Sequence, residues 1–509
     1  MARPLSRRAL VASVLGVAIF RSAAAGTASG VPRVALTDLP RGSTLDLVQP
    51  GASWAAQLWG ESVLTVGRDG NLVSGMASVV ALSSDRTSLG ISIRPDALFS
   101  DGSPVLSGDV AASLERAASR SLDAGLGWRF EHVGSIDVRE PRTLVVTLAE
   151  PDASFPSTLA SYVAPVLPEA WIRDSPDSGF PLASGGFERM SADGSTIECR
   201  RTTTFYQVGR PRLDGVTCLS PDGSMPRAME LVTGRCDVLI DVPNLDVPTL
   251  KENPGIVLVG GEANNLCHVA FNLQRPVVSD RRVRQVVAQV IDRPALAMAA
   301  AAGEATAADS LFPPDHWAAH DDPIDTVPAD QARATLVDLG HRPGTRLRML
   351  TSAQDPVLVN AAVTLQDQLA YAGLELEIDL IDSERLDAEV LAGTWDLLVR
   401  RTAHWRDPHE LVRPLLVSGA SENYSGYSSS RVDYLVDLAR RARFQEYRGD
   451  LYRDIQQIIR TEVPIIPLLF PHYYDAMTTA IQGYPAFSPV SARAMYQATM
   501  IPVEPNATP

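Results

Sequence analysis

The sequence predicts an α/β protein with more than one domain. Its 509 residues are too many for a single hydrophobic core and favour two or three domains. Hydrophobic residues account for 45% of the chain and charged residues for 21%, as in ordinary folded proteins. From Cys267 onward, stretches with strand periodicity alternate with stretches with helix periodicity. This alternation predicts a mostly parallel sheet that helices cover on both faces.

The N-terminal segment predicts an export signal. A basic start that contains Arg7 and Arg8 precedes the apolar residues 9–20, and an A-x-A cleavage pattern ends at Ala25. The apolar run is too short to span a membrane. We therefore expect residues 1–25 to be removed and the mature chain to be periplasmic. The stretch SRRALVA is similar to a twin-arginine signal, but tandem arginines also occur in ordinary signals, so both export routes stay open.

The first clear unit of turn and helix is FSDGSPVLSGDVAASLERA, residues 99–117. Asp-Gly followed by Ser-Pro is strong turn chemistry. Val110 and Leu114 then fall on one helical face, and Asp109 lies where it can interact with the free amides of the helix start. The carboxylates of Asp101 and Asp109 are therefore either parts of the scaffold or ligand-binding groups.

The middle of the chain, residues 185–259, contains short strand-like runs such as VTCLS and CDVLID. The cysteines of the sequence are Cys199, Cys218, Cys236 and Cys267. An even number of cysteines in an exported chain permits one or two disulfides. Their spacing does not match that of metal-ligand pairs.

The second half of the chain supplies the alternating elements. Residues 280–291 place valines on one helical face, Asp355-Pro356 predicts a helix start, and Gly373 predicts a helix stop. The elements that follow are a strand LELEIDL from Leu374, a helix over residues 383–393, a strand WDLLVR from Trp395, helices over residues 432–442 and 447–461, and an apolar strand IIPLLF.

The loop RTAHWRDP, residues 401–408, is the part of the chain whose composition points most clearly to function. In sheets of this kind, ligands bind in loops beyond the carboxyl ends of the strands. The candidate ligand-binding residues of this loop and of the strand end before it are Arg400, Arg401, Thr402, His404, Trp405 and Asp407.

Charge and missing motifs exclude several classes of protein. The formal net charge of −15 argues against nucleic-acid binding, because nothing would neutralise the phosphates. Lys251, the single lysine, follows no glycine-rich loop, and G-x-S-x-G, G-x-G-x-x-G, H-E-x-x-H and C-x-x-C are all absent, so no cofactor is predicted. HWAAH, residues 316–320, has the histidine spacing of a metal site, but its flanks FPPD and DDP favour a loop without metal.

Several stretches match, in order, the motifs of one family over nearly the whole mature chain. They are RPDALFSDGSPVLSGDVAASLER, FNLQRPVVSDRRVRQVVAQVIDR, VPADQARATLVDLG, AHWRDP and NYSGYSSSRVDYLVDLA. Through these stretches the chain resembles the bacterial extracellular solute-binding proteins of family 5, the dipeptide-, oligopeptide- and nickel-binding proteins of ABC importers. The resemblance implies a fold like that of type II periplasmic binding proteins, with three lobes and a hinged cleft.

The resemblance also implies where the lobes lie. Lobe I would comprise residues 26–78, 182–265 and 479–509, lobe II residues 79–181, and lobe III residues 266–478. The ligand would bind between lobes I and III, and closure would bury it. Trp54 lies where relatives approach the cleft and is a further candidate ligand contact, whereas the turn around Asp101 would be structural.

The implied function is capture of a peptide-like or small, anionic solute and its delivery to ABC permease subunits in the inner membrane. The protein would act as a monomer and would not be an enzyme. One alternative is an exported α/β hydrolase, and another is a ligand-sensing or metallophore-binding module outside transport. A turnover assay on peptides and esters separates the hydrolase from the binding proteins.

The identity of the ligand stays open. Peptide-binding members of the family hold the peptide amine with an aspartate in the loop A-D-Y-x-x-P, and His404 stands at that position here, so this partner for a buried ammonium is missing. Arg400, Arg401 and Arg406 favour an opine-like or other anion held bidentately. Alternatively, these arginines face outward or pair with local acids such as Asp407. A peptide, an anion and a metal complex are all compatible with the sequence.

Overall fold

The computed structural model describes residues 30–37, 39, 50–123, 125–174, 181–221, 223–320, 322–486 and 491–501. The predicted export signal, residues 1–25, and its cleavage point lie outside these residues. Among the residues that the structure describes, no helix has the length and apolar character needed to cross a membrane.

The strands of the described residues are, in chain order, β1 Arg33–Ala35, β2 Leu64–Val66, β3 Leu72–Ser74, β4 Ala77–Leu82, β5 Ser88–Ile93, β6 Val133–Glu140, β7 Thr143–Leu148, β8 Phe187–Ala192, β9 Thr196–Arg201, β10 Gly215–Leu219, β11 Val238–Leu239, β12 Ile256–Gly261, β13 Cys267–Phe271, β14 Ala305–Ala307, β15 Thr345–Ser352, β16 Leu374–Ile381, β17 Leu397–Arg401, β18 Ile465–Pro471, β19 Tyr473–Thr478, β20 Ile481–Gln482 and β21 Thr499–Met500.

The helices are α1 Pro50–Trp59, α2 Ser107–Asp123, α3 Phe155–Leu159, α4 Glu169–Asp174, α5 Arg227–Val232, α6 Val247–Lys251, α7 Pro276–Ser279, α8 Arg281–Val290, α9 Arg293–Ala301, α10 Ala329–Asp338, α11 Pro356–Tyr371, α12 Ser383–Leu391, α13 Pro408–Leu416, α14 Ser430–Arg441 and α15 Gln445–Glu462. Short 3₁₀ turns span Gly127–Arg129, Asn244–Asp246 and Ala492–Tyr496.

Three larger sheets divide the structure into units that we name after them. The seven-stranded unit is built on the sheet β12-β19-β11-β1-β10-β9-β8. The four-stranded unit, residues 77–174, is built on the sheet β4-β5-β7-β6 and carries α2, α3 and α4. The six-stranded unit, residues 267–471, is built on the sheet β14-β18-β13-β17-β15-β16 and carries α7 to α15. The mixture of helices and sheets confirms the predicted α/β class.

The prediction of a mostly parallel sheet is wrong. In the six-stranded sheet β15 pairs in parallel with β16 and β17, but β13 pairs antiparallel with β17 and β18. The reason is the path of the chain: β13 brings it in from the seven-stranded unit and β18 leads it back, so these neighbours run in opposite directions. The parallel part is therefore confined to the strands that alternate with helices.

The strand β19 lies in the seven-stranded sheet, between β12 and β11. The family resemblance implies that lobe III ends at residue 478. That residue is the last one of β19, which belongs to the seven-stranded sheet and not to the six-stranded sheet. The chain passes from the six-stranded to the seven-stranded unit at His472, between β18 and β19.

Hydrogen bonds and one ion pair surround this crossing. The Asn244 side-chain amide donates to the carbonyl oxygen of His472 at 2.7 Å. Lys251, which is the one lysine of the sequence, ion-pairs with Glu304 of the six-stranded unit, with Nζ and Oε1 separated by 2.6 Å. The crossing is thus held by polar contacts between the two units.

All four cysteines are buried and free, so the disulfides that their number permits are absent from the structure. Cys199 and Cys218 lie on neighbouring strands, but Cys199 faces Val216 and Cys218 faces Ile197 in the register. Because the two cysteines are offset by two residues, neither lies directly opposite the other. Burial raises the pKa of Cys236 to about 12, which keeps that thiol protonated at neutral pH.

The hydrophobic cores do not follow the sheets one to one. A single cluster of buried side chains runs through the four-stranded and seven-stranded units, and includes Leu144 and Val146 of the former and Phe187 and Val216 of the latter. The six-stranded unit has clusters of its own on the two faces of its sheet. Two bodies therefore result, one made of two fused units and one made of the six-stranded unit.

Candidate functional site

A cavity of about 480 Å³ lies where the units meet. The residues that line it are Leu36, Thr37, Trp54, Tyr162, Ile240, Asp241, Asn265, Ser352, Gln354, Asp355, Leu358, Ser383, Leu386, Asp387, Arg400, Arg401, Thr402, Ala403, His404, Trp405, Arg406 and Tyr473. Its volume lies within the range of roughly 300–1,000 Å³ that is usual for sites that bind small molecules.

The cavity forms at the carboxyl ends of parallel strands. In the seven-stranded sheet, β1 and β11 run in parallel, and the cavity residues Leu36 and Ile240 directly follow them. In the six-stranded sheet, β15 and β17 run in parallel and end at Ser352 and Arg401. Loops at this edge of a sheet are the usual place for a ligand in α/β proteins. The topology therefore places the predicted loop at the junction.

Arg401 and Asp355 form an ion pair in the cavity wall. Arg401 Nη2 lies 2.9 Å from Asp355 Oδ2, and both side chains are less than one-third exposed. The other oxygen of Asp355 accepts from the amide of Val357 at 3.0 Å and so caps α11. Burial alone would lower the pKa of Arg401, but the charges of Asp355 and Asp241 raise it. The guanidinium is therefore positively charged at every physiological pH.

The other two cavity arginines are also close to acids. Arg400 Nη1 lies 2.9 Å from Asp387 Oδ1, and its guanidinium stacks on Tyr424, 4.8 Å from the ring centroid. The backbone amide of Arg406 donates to Glu410 Oε2 at 3.0 Å. Burial lowers the pKa of Arg406, and the nearby Glu410 opposes this effect. Arg400 and Arg401 are thus in direct ion pairs, whereas the buried Nε of Arg406 has no hydrogen-bond partner among the described residues.

The charges in the cavity wall balance. Three of the lining residues are arginines and three are aspartates: Arg400, Arg401, Arg406, Asp241, Asp355 and Asp387. In the sequence only the arginines stand close together, because the aspartates lie in three distant parts of the chain. The aspartate that peptide-binding relatives place at His404 is missing, but carboxylates from other strand ends occupy the same cavity. A ligand with groups of both charges finds partners here.

His404 is a neutral side chain in this cavity. Burial lowers its pKa to about 3, and Arg401 and Arg406 add to the effect. Its Nδ1 lies 3.2 Å from the side-chain oxygen of Asn264, and its ring meets the Tyr473 ring edge-on at 5.5 Å between centroids. The imidazole can therefore exchange hydrogen bonds with a ligand but does not supply a positive charge.

The two predicted tryptophans lie in the cavity wall. Trp405 is buried and packs edge-on against Phe312 and His316, with centroids 5.5 Å and 5.1 Å away. Trp54, from α1, is also buried. Among the described residues, neither indole N–H has a hydrogen-bond partner, and the same is true of Asn265 Oδ1. Buried polar atoms without a hydrogen-bond partner are uncommon in proteins, and three of them belong to residues of this wall.

Asp407 does not line the cavity, unlike the other predicted residues. Its carboxylate accepts two hydrogen bonds from Arg448, at 2.7 Å and 2.9 Å, and one from the amide of His409 at the start of α13. Both side chains of the Asp407–Arg448 pair are largely buried. The local Asp-Pro motif thus marks a helix start, and Asp407 supports the loop instead of facing a ligand.

Sequence reasoning missed the cavity residues that come from elsewhere in the chain. Tyr162 belongs to the four-stranded unit, so this unit also contributes to the site. Asp241 follows β11 with a left-handed backbone, φ 55°. The signal that could have located Asp241 and Asp355 is their position at the ends of predicted elements, since Asp241 ends the strand-like run CDVLID and Asp355 begins a predicted helix. No comparable signal exists for Tyr162, since no periodicity places it near the cleft.

Other parts of the described chain carry no rival site of the predicted kinds. No group of three or more histidine, cysteine, aspartate or glutamate side chains within the described ranges could hold a metal ion. The stretch from His316 to His320 lies in a loop, as predicted, and packs against Trp405 through His316. Asp101 and Asp109 bind backbone amides nearby, at Ser103 and at Leu106 and Glu169. Both aspartates are scaffold groups.

Comparison with known proteins gives a consistent result. The family described as bacterial extracellular solute-binding proteins, family 5 Middle, matches residues 71–423. The glutathione-binding protein GsiB of Salmonella typhi is 25% identical over 431 residues, which cover 82% of this chain and 84% of that protein.

Solved structures share the fold. PBP AgaA from A. tumefaciens R10, in complex with agropinic acid, has a TM-score of 0.81 at 21% identity and covers 93% of this chain and 99% of its own. The ABC transporter-associated periplasmic binding protein DppA from Helicobacter pylori, in complex with peptide STSA, has a TM-score of 0.80 at 19% identity. The match covers 93% of this chain and 98% of that chain.

Proposed function

The chain belongs to the bacterial extracellular solute-binding proteins of family 5, and we propose that it captures a small, peptide-like solute that carries both positive and negative charge. The cavity between the seven-stranded and six-stranded units would hold the solute. Proteins of this family bind peptides or other small ligands and work with ABC permeases. The observation that carries the proposal is the balance of three arginines and three aspartates in one cavity wall.

The proposed ligand class follows from the pairs in the cavity. A carboxylate of the solute would bind Arg401 and Arg400, which offer planar forks of donors. An ammonium group would bind Asp355 or Asp241, since a buried positive charge needs a charged partner. A purely anionic solute would leave the aspartates repelling it. One similar protein is named for binding glutathione, and two others were solved in complex with agropinic acid and with a peptide. These ligands support a small ligand of this kind.

Six of the seven predicted contacts remain in the proposed site. Arg400, Arg401, Thr402, His404, Trp405 and Trp54 all line the cavity. The hydroxyl of Thr402 accepts from the amide of Leu266 at 2.9 Å, so its contribution to a ligand would come mainly from the backbone around it. Asp407 is assigned to loop support for the reasons given above.

The wider setting is proposed from the family and the architecture. The seven-, four- and six-stranded units would be lobes I, II and III, with the crossing from lobe III back to lobe I at His472 rather than at residue 478. The chain would act in the periplasm as a monomer and deliver the solute to permease subunits in the inner membrane. Because the four-stranded and seven-stranded units share one hydrophobic core, they would move as one body against the six-stranded unit when the cavity closes.

Native mass spectrometry of the protein purified from its own periplasm identifies the solute directly. The proposal is then tested by calorimetric titration of that solute, or of glutathione if none copurifies, into Arg401→Gln and Asp355→Asn. Asparagine still caps a helix well, so the second change removes charge and preserves α11. We expect each variant to bind at least about tenfold more weakly, since hydrogen bonds to charged groups contribute about 1.5–3 kcal/mol.

Arg385→Gln is the matched control, because it removes an exposed arginine of the same unit that pairs with Glu389 at 3.1 Å and does not line the cavity. Tighter binding by Asp355→Asn together with weaker binding by Arg401→Gln would indicate a purely anionic solute. Equal affinity in all variants would place the site elsewhere. Turnover of the bound solute would contradict a pure binding function.

A further inference from the structure

The four-stranded and six-stranded units meet through charged side chains and not through a shared hydrophobic core. The core of the four-stranded unit continues into the seven-stranded unit, whereas the six-stranded unit keeps separate clusters. Separation of these two bodies would therefore break no shared hydrophobic core, and the large apolar side chain that it would uncover is Trp128, which packs edge-on against His409 at 5.9 Å between ring centroids. Contacts of this polar kind are typical of domain interfaces that open and close.

Two arginines of the six-stranded unit bind glutamates of the four-stranded unit. Arg413 Nη2 lies 2.8 Å from Glu131 Oε2, and a second nitrogen of the same guanidinium donates at 3.3 Å to Glu131 Oε1. Arg440 Nη2 lies 2.7 Å from Glu150 Oε2, and its Nη1 donates to the carbonyl oxygen of Pro151 at 2.8 Å. Both arginines belong to helices that follow the ligand loop, α13 and α14.

A third pair runs in the opposite direction and is more deeply buried. Arg129 of the four-stranded unit donates to Glu410 Oε1 at 2.8 Å, and only 2% of the Glu410 side chain is exposed. The Ser157 hydroxyl of α3 donates to the same oxygen. Burial would raise the pKa of Glu410, but Arg129 and Arg406 outweigh this effect and lower it. The carboxylate is thus ionised at neutral pH.

Glu410 also connects this interface with the cavity. Its second carboxylate oxygen accepts from the backbone amide of Arg406, a residue of the cavity wall, at 3.0 Å. One side chain therefore binds the ligand loop on one side and the four-stranded unit on the other. Movement of the four-stranded unit away from Glu410 would remove two of the three groups that hold this carboxylate.

We propose that the pairs Arg413–Glu131, Arg440–Glu150 and Arg129–Glu410 form a latch that holds the two bodies together, with Glu410 as the residue that positions the ligand loop against it. The inference rests on the proposed function, because the latch would set how readily the cavity closes on a solute. Under this proposal the four-stranded unit takes part in the closure of the cavity. The latch is electrostatic, so salt and charge reversal should control it.

The test uses small-angle X-ray scattering of the full chain without added solute. Raising the salt from about 0.1 M to about 1 M shortens the screening length from about 10 Å to about 3 Å, so we expect the wild-type radius of gyration to increase. The variants Glu131→Arg and Arg413→Glu should each show the larger radius at low salt. The double variant, which restores the pair with reversed charges, should return to the smaller radius.

Arg346→Gln is the control, since Arg346 pairs with Glu377 inside the six-stranded unit at 3.4 Å. It should scatter like the wild type at both salt concentrations. Single variants that match the wild type, or a double variant that keeps the larger radius, would overturn the latch. Because no solute is added, this outcome is independent of whether the solute proposed above binds. In a separate calorimetric titration with the solute, Glu410→Gln should weaken binding more than Arg346→Gln does.

Discussion

At the scale of single residues, the arginines of the ligand loop show that the charge a ligand meets depends on the partners of each side chain. Arg400 and Arg401 lie 2.9 Å from Asp387 and Asp355, so a ligand meets ion pairs and not isolated positive charges. Replacing the hydrogen bonds of such a pair with bonds to a ligand requires the ligand to satisfy both partners. A solute with two charged groups, as proposed above, would satisfy both partners of such a pair.

Asp475 gives a prediction about pH and stability. This buried carboxylate accepts from the hydroxyl of Tyr484 at 2.7 Å, and burial raises its pKa to about 6. The unfolded chain loses this proton near pH 4, whereas the folded chain keeps it up to about pH 6, so the free energy of unfolding falls as the pH rises between these values. We expect Asp475→Asn to remove this part of the pH dependence.

The measurement is the free energy of unfolding in urea at pH 4 and pH 7. The stability of Asp475→Asn relative to the wild type should rise by up to about 3 kcal/mol between the two pH values, from the shift of about two pKa units. A constant difference between the two proteins would show that Asp475 titrates normally in the folded chain.

At the scale of helices and strands, local signals fixed the ends of elements. Asp355 caps α11 as the sequence predicts, Asp280 caps α8 at the start of the predicted helical segment, and Gly373 ends the segment after α11 with φ +89°. These signals are short-range, because a cap and its helix are adjacent in the chain. The direction of neighbouring strands is set by where the chain enters and leaves a sheet, which explains why the mixed pairing of β13 was missed.

The conformation of Gly373 leads to a second stability prediction. A Cβ atom at this position would lie 3.3 Å from Pro343 Cα and would require a left-handed backbone. We expect Gly373→Ala to lower the free energy of unfolding by about 1–2 kcal/mol. The control is Gly90→Ala, where a Cβ atom would lie 3.8 Å from its nearest neighbour, Ala81 O. Equal losses in both variants, measured by urea denaturation, would contradict this explanation.

At the scale of the whole molecule, motifs that are far apart in sequence identified the family and its three-lobed plan, whereas the composition of the cavity was only half predictable. The arginines cluster in one loop and are visible in the sequence. The aspartates come from the end of β11, the start of α11 and the middle of α12, and Tyr162 comes from a different unit. Their meeting is a property of the assembled units and has no counterpart in the spacing of the chain.

The division of the hydrophobic core predicts how the molecule unfolds. The four-stranded and seven-stranded units share one cluster, while the six-stranded unit has its own. We expect scanning calorimetry to resolve two transitions. Asp407→Ala should lower only one of them, because it leaves the buried Arg448 without its partner inside the six-stranded unit, at a cost of about 3–5 kcal/mol. A single transition that shifts as a whole would show that the bodies unfold together.

The sequence holds one lysine, and the structure places it at the passage between the two bodies, against Glu304. A protease that cleaves only after lysine therefore has a single target bond in the whole protein, next to the crossing at His472. Because the Lys251 side chain is already 47% exposed, cleavage at that bond would divide the unaltered chain into two defined fragments beside this junction, without any engineered residue.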